Sequence, residues 1–125
     1  MLKILVADDN PVSREFVREA LEDEYAIAEA GDGVEALAKI RSELPDLILL
    51  DIQMPKMDGF GVLEELQKDP ELRSICTVAL TAFAMQGDRQ KVLQAGFHGY
   101  IAKPVSLLEL RTHVRRLLSC PQTSG

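Results

Sequence analysis

Asp8-Asp9 and Asp51 each follow a short apolar run, and so do a hydroxyl, Thr81, and an ammonium, Lys103. Carboxylates gathered in one pocket repel and raise each other's pKa unless a cation stands between them. Magnesium answers that problem: it prefers oxygen ligands, keeps several waters, and takes one or two carboxylates together with phosphate oxygens. Asp9 and Asp51 fit as its ligands, while Lys103 and Thr81 suit a group carrying phosphoryl-like charge. A carboxylate can attack phosphorus to form an acyl phosphate. Metal and ammonium would then neutralise charge on the transferring group, and the hydroxyl would hydrogen-bond the product. Asp51 is assigned as the nucleophile because it ends the central run, residues 47–50, and is followed by a loop over residues 54–59 containing Pro55 and Gly59.

These groups lie far apart in sequence, so the elements between them must bring them together. Residues 2–7 read as a first strand; Asn10-Pro11 then supplies a side-chain cap and a proline at the first helical position. Val12, Phe16, Val17, Ala20 and Leu21 fall on one stripe of the helix that follows. Residues 25–30 form a second strand. Asp32 and Glu35 have capping-box spacing, and Val34, Leu37, Ile40 and Leu44 are expected to face the core before Pro45 ends the second helix. Residues 47–50, short, apolar and bounded by turn residues, suit a parallel strand covered on both faces.

Phe60, Leu63 and Leu66 mark a third helix, residues 75–80 a fourth strand, and residues 88–95 a fourth helix stopped by Gly96. Residues 99–102 form a fifth strand. Ser106 and Glu109 form a second capping box, opening a last helix with Leu107, Leu110, Val114, Leu117 and Leu118 at helical spacing. Five strands alternating with five helices indicate an open, doubly wound α/β sheet with helices on both faces. Ligands of such sheets bind outside the carboxyl ends of the strands, where all the polar groups named above would lie. Residues 1–118 are expected to form one domain, followed by a polar tail over residues 119–125.

The chain has 125 residues, enough for one domain with a real core, and a formal net charge of −6. That charge argues against direct nucleic-acid binding, which shows a basic footprint. No apolar run is long enough to span a bilayer, and no secretory signal is seen, so a cytoplasmic location with no membrane association is expected. Cys76 and Cys120 have neither metal-ligand spacing nor a plausible bridging position and are expected to be reduced thiols. His98 and His113 read as surface residues, and Arg111, Arg115 and Arg116 as the solvated side of the last helix.

The set Asp8-Asp9, Asp51 with the loop Met54-Pro55-Lys56-Met57-Asp58-Gly59, Thr81-Ala82, and Tyr100 before Lys103-Pro104 closely resembles the receiver domains of two-component response regulators. The resemblance covers residues 2–118. It implies a flavodoxin-like (βα)5 fold, a parallel five-stranded sheet of strand order 2-1-3-4-5. It implies that Asp51 accepts a phosphoryl group from the phosphohistidine of a sensor histidine kinase or histidine phosphotransfer protein. Magnesium would be held by Asp9, Asp51 and the backbone carbonyl of Gln53, and by Asp8 through water. Thr81, Ala82 and Lys103 would surround the phosphoryl group, and Thr81 with Tyr100 would carry the switch. Lys103-Pro104 is a candidate cis bond. Gln53 and Phe83 occupy positions expected to tune hydrolysis. The output would be altered protein–protein contact through the face of the fourth helix, fifth strand and fifth helix, including a homodimer formed on phosphorylation. The chain would be a stand-alone receiver or one cut from a longer protein.

Two other functions use similar residues. A haloacid-dehalogenase-like phosphatase also combines an Asp nucleophile, a hydroxyl, a Lys and magnesium, but that family places a second Asp two residues after the nucleophile, where this chain has Gln53. There is also no room for a cap domain. A pseudo-receiver would be an interaction module that is never phosphorylated, and the complete residue set argues against it.

Overall fold

A computed structural model describes residues 2–81, 88–102 and 106–119. The elements follow in the order β1 (Lys3–Ala7), α1 (Pro11–Leu21), β2 (Ala26–Ala30), α2 (Gly33–Glu43), β3 (Leu47–Leu50), α3 (Gly59–Lys68), β4 (Cys76–Thr81), α4 (Asp88–Ala95), β5 (Gly99–Ala102) and α5 (Leu107–Ser119). The five strands form one parallel sheet in the order β2-β1-β3-β4-β5, as the resemblance implies.

The apolar runs explain which strands are central. Leu47, Ile48, Leu49 and Leu50 are all fully buried, because β3 is covered by helices on both faces. The edge strand β2 is mostly half-buried. Alternate side chains serve opposite layers: Leu5, Ala7, Ile48 and Leu50 pack with α2, α3 and Val92 of α4. Ile4, Val6, Leu47 and Leu49 pack with Val17, Ala20 and Leu21 of α1 and with Leu110 and Val114 of α5. Each buried leucine contributes roughly 2 kcal/mol of apolar burial, so the strand ends are carried on a rigid platform.

The caps form largely as the sequence suggests. Asn10 Oδ1 accepts from the Val12 and Ser13 amides, at 2.9 and 3.4 Å. Asp32 Oδ1 accepts from the Glu35 amide at 2.8 Å, while Glu35 Oε1 accepts from Gly31 rather than from the cap residue itself. Gly96 ends α4 with φ +118°.

Five side chains depart from the expected apolar stripes, one of them Leu107 at the start of α5, 41% exposed. Val12 and Phe16 are 71% and 37% exposed, and Val34 is 51% exposed. They lie in the N-terminal halves of α1 and α2, ahead of the buried residues Val17, Ala20 and Leu21 of α1 and Ala36, Leu37 and Ile40 of α2. Leu44, 52% exposed, caps α2 in the left-handed conformation (φ 48°), which turns its side chain away from the helix's buried stripe. No helix among the described residues is long and apolar enough to cross a membrane. Cys76 is buried and forms no disulfide, whereas Cys120 lies outside the described residues.

Candidate functional site

Ala7 of β1 lies opposite Leu50 of β3 in the parallel register, so the next residues, Asp8 and Asp51, leave the sheet side by side. The ladder continues one step past the strands: the Asp51 amide donates to Ala7 O at 2.9 Å, and the Asp8 amide to Ala30 O at 3.0 Å. Both aspartates therefore have fixed backbones before their side chains do anything. Asp8 and Asp51 are buried, and Asp9 is exposed. One carboxylate oxygen from each of Asp8, Asp9 and Asp51 lies within 4.8 Å of the other two.

Three carboxylates at that spacing would repel strongly in a partly buried setting without compensation. Part of it comes from backbone amides: Asn10 N–H donates to Asp8 Oδ1 at 2.9 Å, and Gln53 N–H to Asp51 Oδ1 at 3.0 Å. The set is all oxygen, compact and open to solvent at Asp9, which fits a hard divalent cation that keeps water ligands. An open groove of about 570 Å³ adjoins it, lined by Asp9, Gln53, Met54, Pro55 and Phe60 among others.

The loop after β3 is built by close approach. Met57 N–H donates to Pro55 O at 2.7 Å across Lys56, whose φ is 68°, so the chain makes a tight γ-turn of the strained hand. Gly59 N–H donates to Ile52 O at 2.9 Å. A Cβ on Gly59 would lie 2.7 Å from Asp51 O, and one on Gly33, at the start of α2, would lie 1.9 Å from Met57 O. Only glycine lets the loop seat there. Lys56 Nζ also reaches Asp32 Oδ2 at 3.6 Å. The Asp32 carboxyl is held below the usual carboxylate range, chiefly by the Glu35 amide and then by Lys56.

The sheet brings Asp8, Asp9 and Asp51 together and places Gln53 beside them. Thr81 ends β4 with its backbone opposite Ala102. Its side chain lies outside the described residues, as do Ala82, Phe83, Lys103 and Pro104. Tyr100 is half-buried and packs against the layer of α2, α3 and α4. His98 is exposed, yet its Nδ1 accepts from Thr77 N–H at 3.1 Å while its own amide donates to Thr77 O, an unforeseen tie between β4 and β5.

Two of the arginines on α5 are structural. Arg111 Nε donates to Ala20 O at 2.7 Å and Arg115 pairs with Glu24, fastening α5 to the end of α1. The close contacts of Gly33 and Gly59 also escaped the sequence reading. Gly59 carries a faint signal as the end of Asp51's loop; Gly33, distant in sequence, carries none.

The family of response regulator receiver domains matches residues 4–115. The polar-differentiation response regulator DivK of Brucella anthropi is 40% identical over 105 residues, covering 83% of this chain and 85% of that protein. The chemotaxis response regulator CheY4 of Vibrio cholerae superposes with a TM-score of 0.88 at 30% identity, covering 94% of this chain and 98% of that one. The receiver domain of the sensor histidine kinase PA1611 from Pseudomonas aeruginosa superposes with a TM-score of 0.87 at 33% identity, covering 95% and 98%, and was solved with magnesium coordinated in its active-site cleft. Together with three aspartates converging at the carboxyl edge of a 2-1-3-4-5 sheet, these likenesses make the chain a member of the response regulator receiver domain family of two-component signalling.

Proposed function

We propose that Asp51 accepts a phosphoryl group from a phosphohistidine on a partner histidine kinase or histidine phosphotransfer protein, and that the acyl phosphate switches protein–protein contacts. The observation that carries this reading is the three-carboxylate cluster, within 4.8 Å, with Asp51 at its buried side. Asp9, Asp51 and the Gln53 carbonyl would hold magnesium, with Asp8 acting through water. The ion, when bound, supplies positive charge against the phosphoryl oxygens and the acceptor carboxylate. The Gln53 amide holds one Asp51 oxygen, which limits rotation of the carboxylate. Thr81, Ala82 and Lys103 complete the phosphoryl environment.

The receiver occupies residues 1–118, with residues 119–125 as a tail. It assists its own phosphorylation and dephosphorylation and turns over no other substrate. Phosphorylation adds about −1.5 to −2 charge and three acceptor oxygens; Thr81 and Tyr100 relay this to the face of α4, β5 and α5, which meets a downstream target or a second copy. The exchange takes place in the cytoplasm.

Labelled acetyl phosphate tests the reading. Incorporation is expected in the wild type with magnesium, and not in Asp51→Asn or after chelation. Labelling that survives Asp51→Asn would contradict it, and steady hydrolysis of phosphomonoesters would favour the phosphatase alternative.

A further inference from the structure

Asp8 is buried, and its backbone is held on both sides. Its amide donates to Ala30 O on β2, at 3.0 Å, and its carbonyl accepts from Arg14 Nη1 at 2.6 Å. The second is a short charge-assisted hydrogen bond in a partly buried setting, where water competes poorly. Arg14 is itself anchored, because its Nε lies 3.4 Å from Glu29 Oε1 on β2, and the other oxygen of that carboxylate meets Arg18 Nη1 at 3.1 Å. A guanidinium serves the carbonyl and the carboxylate from separate nitrogens of one planar, pre-organised fork, a spacing that the single nitrogen of a lysine does not reproduce.

The peptide that Arg14 grips joins Asp8 to Asp9. Rotation of that peptide would swing the Asp9 side chain relative to Asp8 and Asp51, and the oxygen spacing within 4.8 Å would be lost. We propose that Arg14, anchored by Glu29, is a positioning residue that holds the Asp8-Asp9 peptide in the orientation a divalent cation requires. This rests on the proposed use of the acidic cluster as a magnesium site. It assigns a role in cation affinity to an ion pair between α1 and β2.

Simple electrostatics predicts the opposite sign. A cation near three carboxylates disfavours a second cation, so removing Arg14 charge alone would tighten magnesium binding. Positioning predicts weaker binding, by roughly 10-fold as for other residues that orient metal ligands.

Titration calorimetry with magnesium chloride alone, on the full chain, separates the two. Arg14→Gln and Arg14→Lys are expected to weaken binding about 10-fold, and Glu29→Gln, which acts only through Arg14, by less. Magnesium at saturation should restore acetyl-phosphate incorporation in all three. Unchanged or tighter binding in folded Arg14→Gln and Glu29→Gln would overturn the role of Arg14 while leaving the magnesium site intact. A loss of incorporation that saturating magnesium cannot restore would overturn it too. Absence of magnesium binding by the wild type would sink the reading of the acidic cluster itself, so the two failures are distinct.

Discussion

The loops after β1 and β3 deliver aspartates to the same pocket, yet they are held by different physics. The first is fastened by polar groups: Asn10 caps α1 and lends its amide to Asp8, while Arg14 grips the Asp8 carbonyl. The second is seated by fit, with Gly33 and Gly59 leaving room for backbone atoms that no side chain would admit. A polar fastening can be lost one hydrogen bond at a time. A steric seat fails when a single methyl is added.

Gly33→Ala should therefore have the largest effect on folding. Its Cβ would lie 1.9 Å from Met57 O, a backbone atom, so the loop or the start of α2 must move. Overpacking of this kind costs about 3 kcal/mol. Urea unfolding should show that loss together with reduced acetyl-phosphate incorporation; a change below about 0.5 kcal/mol would mean that the second loop is not held by fit.

Asn10→Ala should cost less, about 1 kcal/mol, the usual value of a lost N-cap. Because Asp8 accepts from the backbone amide of residue 10 and not from its side chain, incorporation should persist. Stability lost with chemistry retained would sharpen the contrast with Gly33→Ala, where both fall.

The smallest effect concerns pH. The Asp32 carboxyl is depressed by the Glu35 amide first and by Lys56 as a lesser cause. A depressed carboxyl contributes stability at pH above its unfolded value, and that contribution disappears as pH falls through its folded value. Asp32→Asn keeps a capping acceptor but does not titrate. The wild type's advantage over this variant should be present at neutral pH, shrink below the ordinary carboxylate range, and fall with added salt. Urea midpoints across acid pH check this, and a pH-independent difference would contradict it.

The same contrast explains what could be read from the chain. Asp8, Asp9 and Asp51 were legible because strand ends in a parallel sheet converge, and residues 47–50 read as a central strand because an unbroken apolar run needs cover on both faces. β5 at Gly99–Ala102 and α4 at Asp88–Ala95 matched because Gly96 and Gly99 punctuate them. The exposure of Val12, Phe16 and Val34 was not legible, since periodicity gives the angle of a face and not whether another element covers it along its whole length. Leu44 was missed because no glycine marks its left-handed cap. The seat of Met57 against Gly33 and the grip of Arg14 on Asp8 are tertiary contacts, and neither has a local pattern.

Both loops matter because of Asp51, and the acyl phosphate proposed there can be trapped. Borohydride reduces an acyl phosphate to an alcohol, which would convert the phosphorylated aspartate to homoserine. After treatment with acetyl phosphate and magnesium, peptide mass spectrometry should find homoserine at position 51 and find none when magnesium is chelated. Homoserine at Asp8, Asp9 or another carboxylate instead, or equal conversion without magnesium, would contradict the assignment of Asp51 as the phosphoryl acceptor of this site.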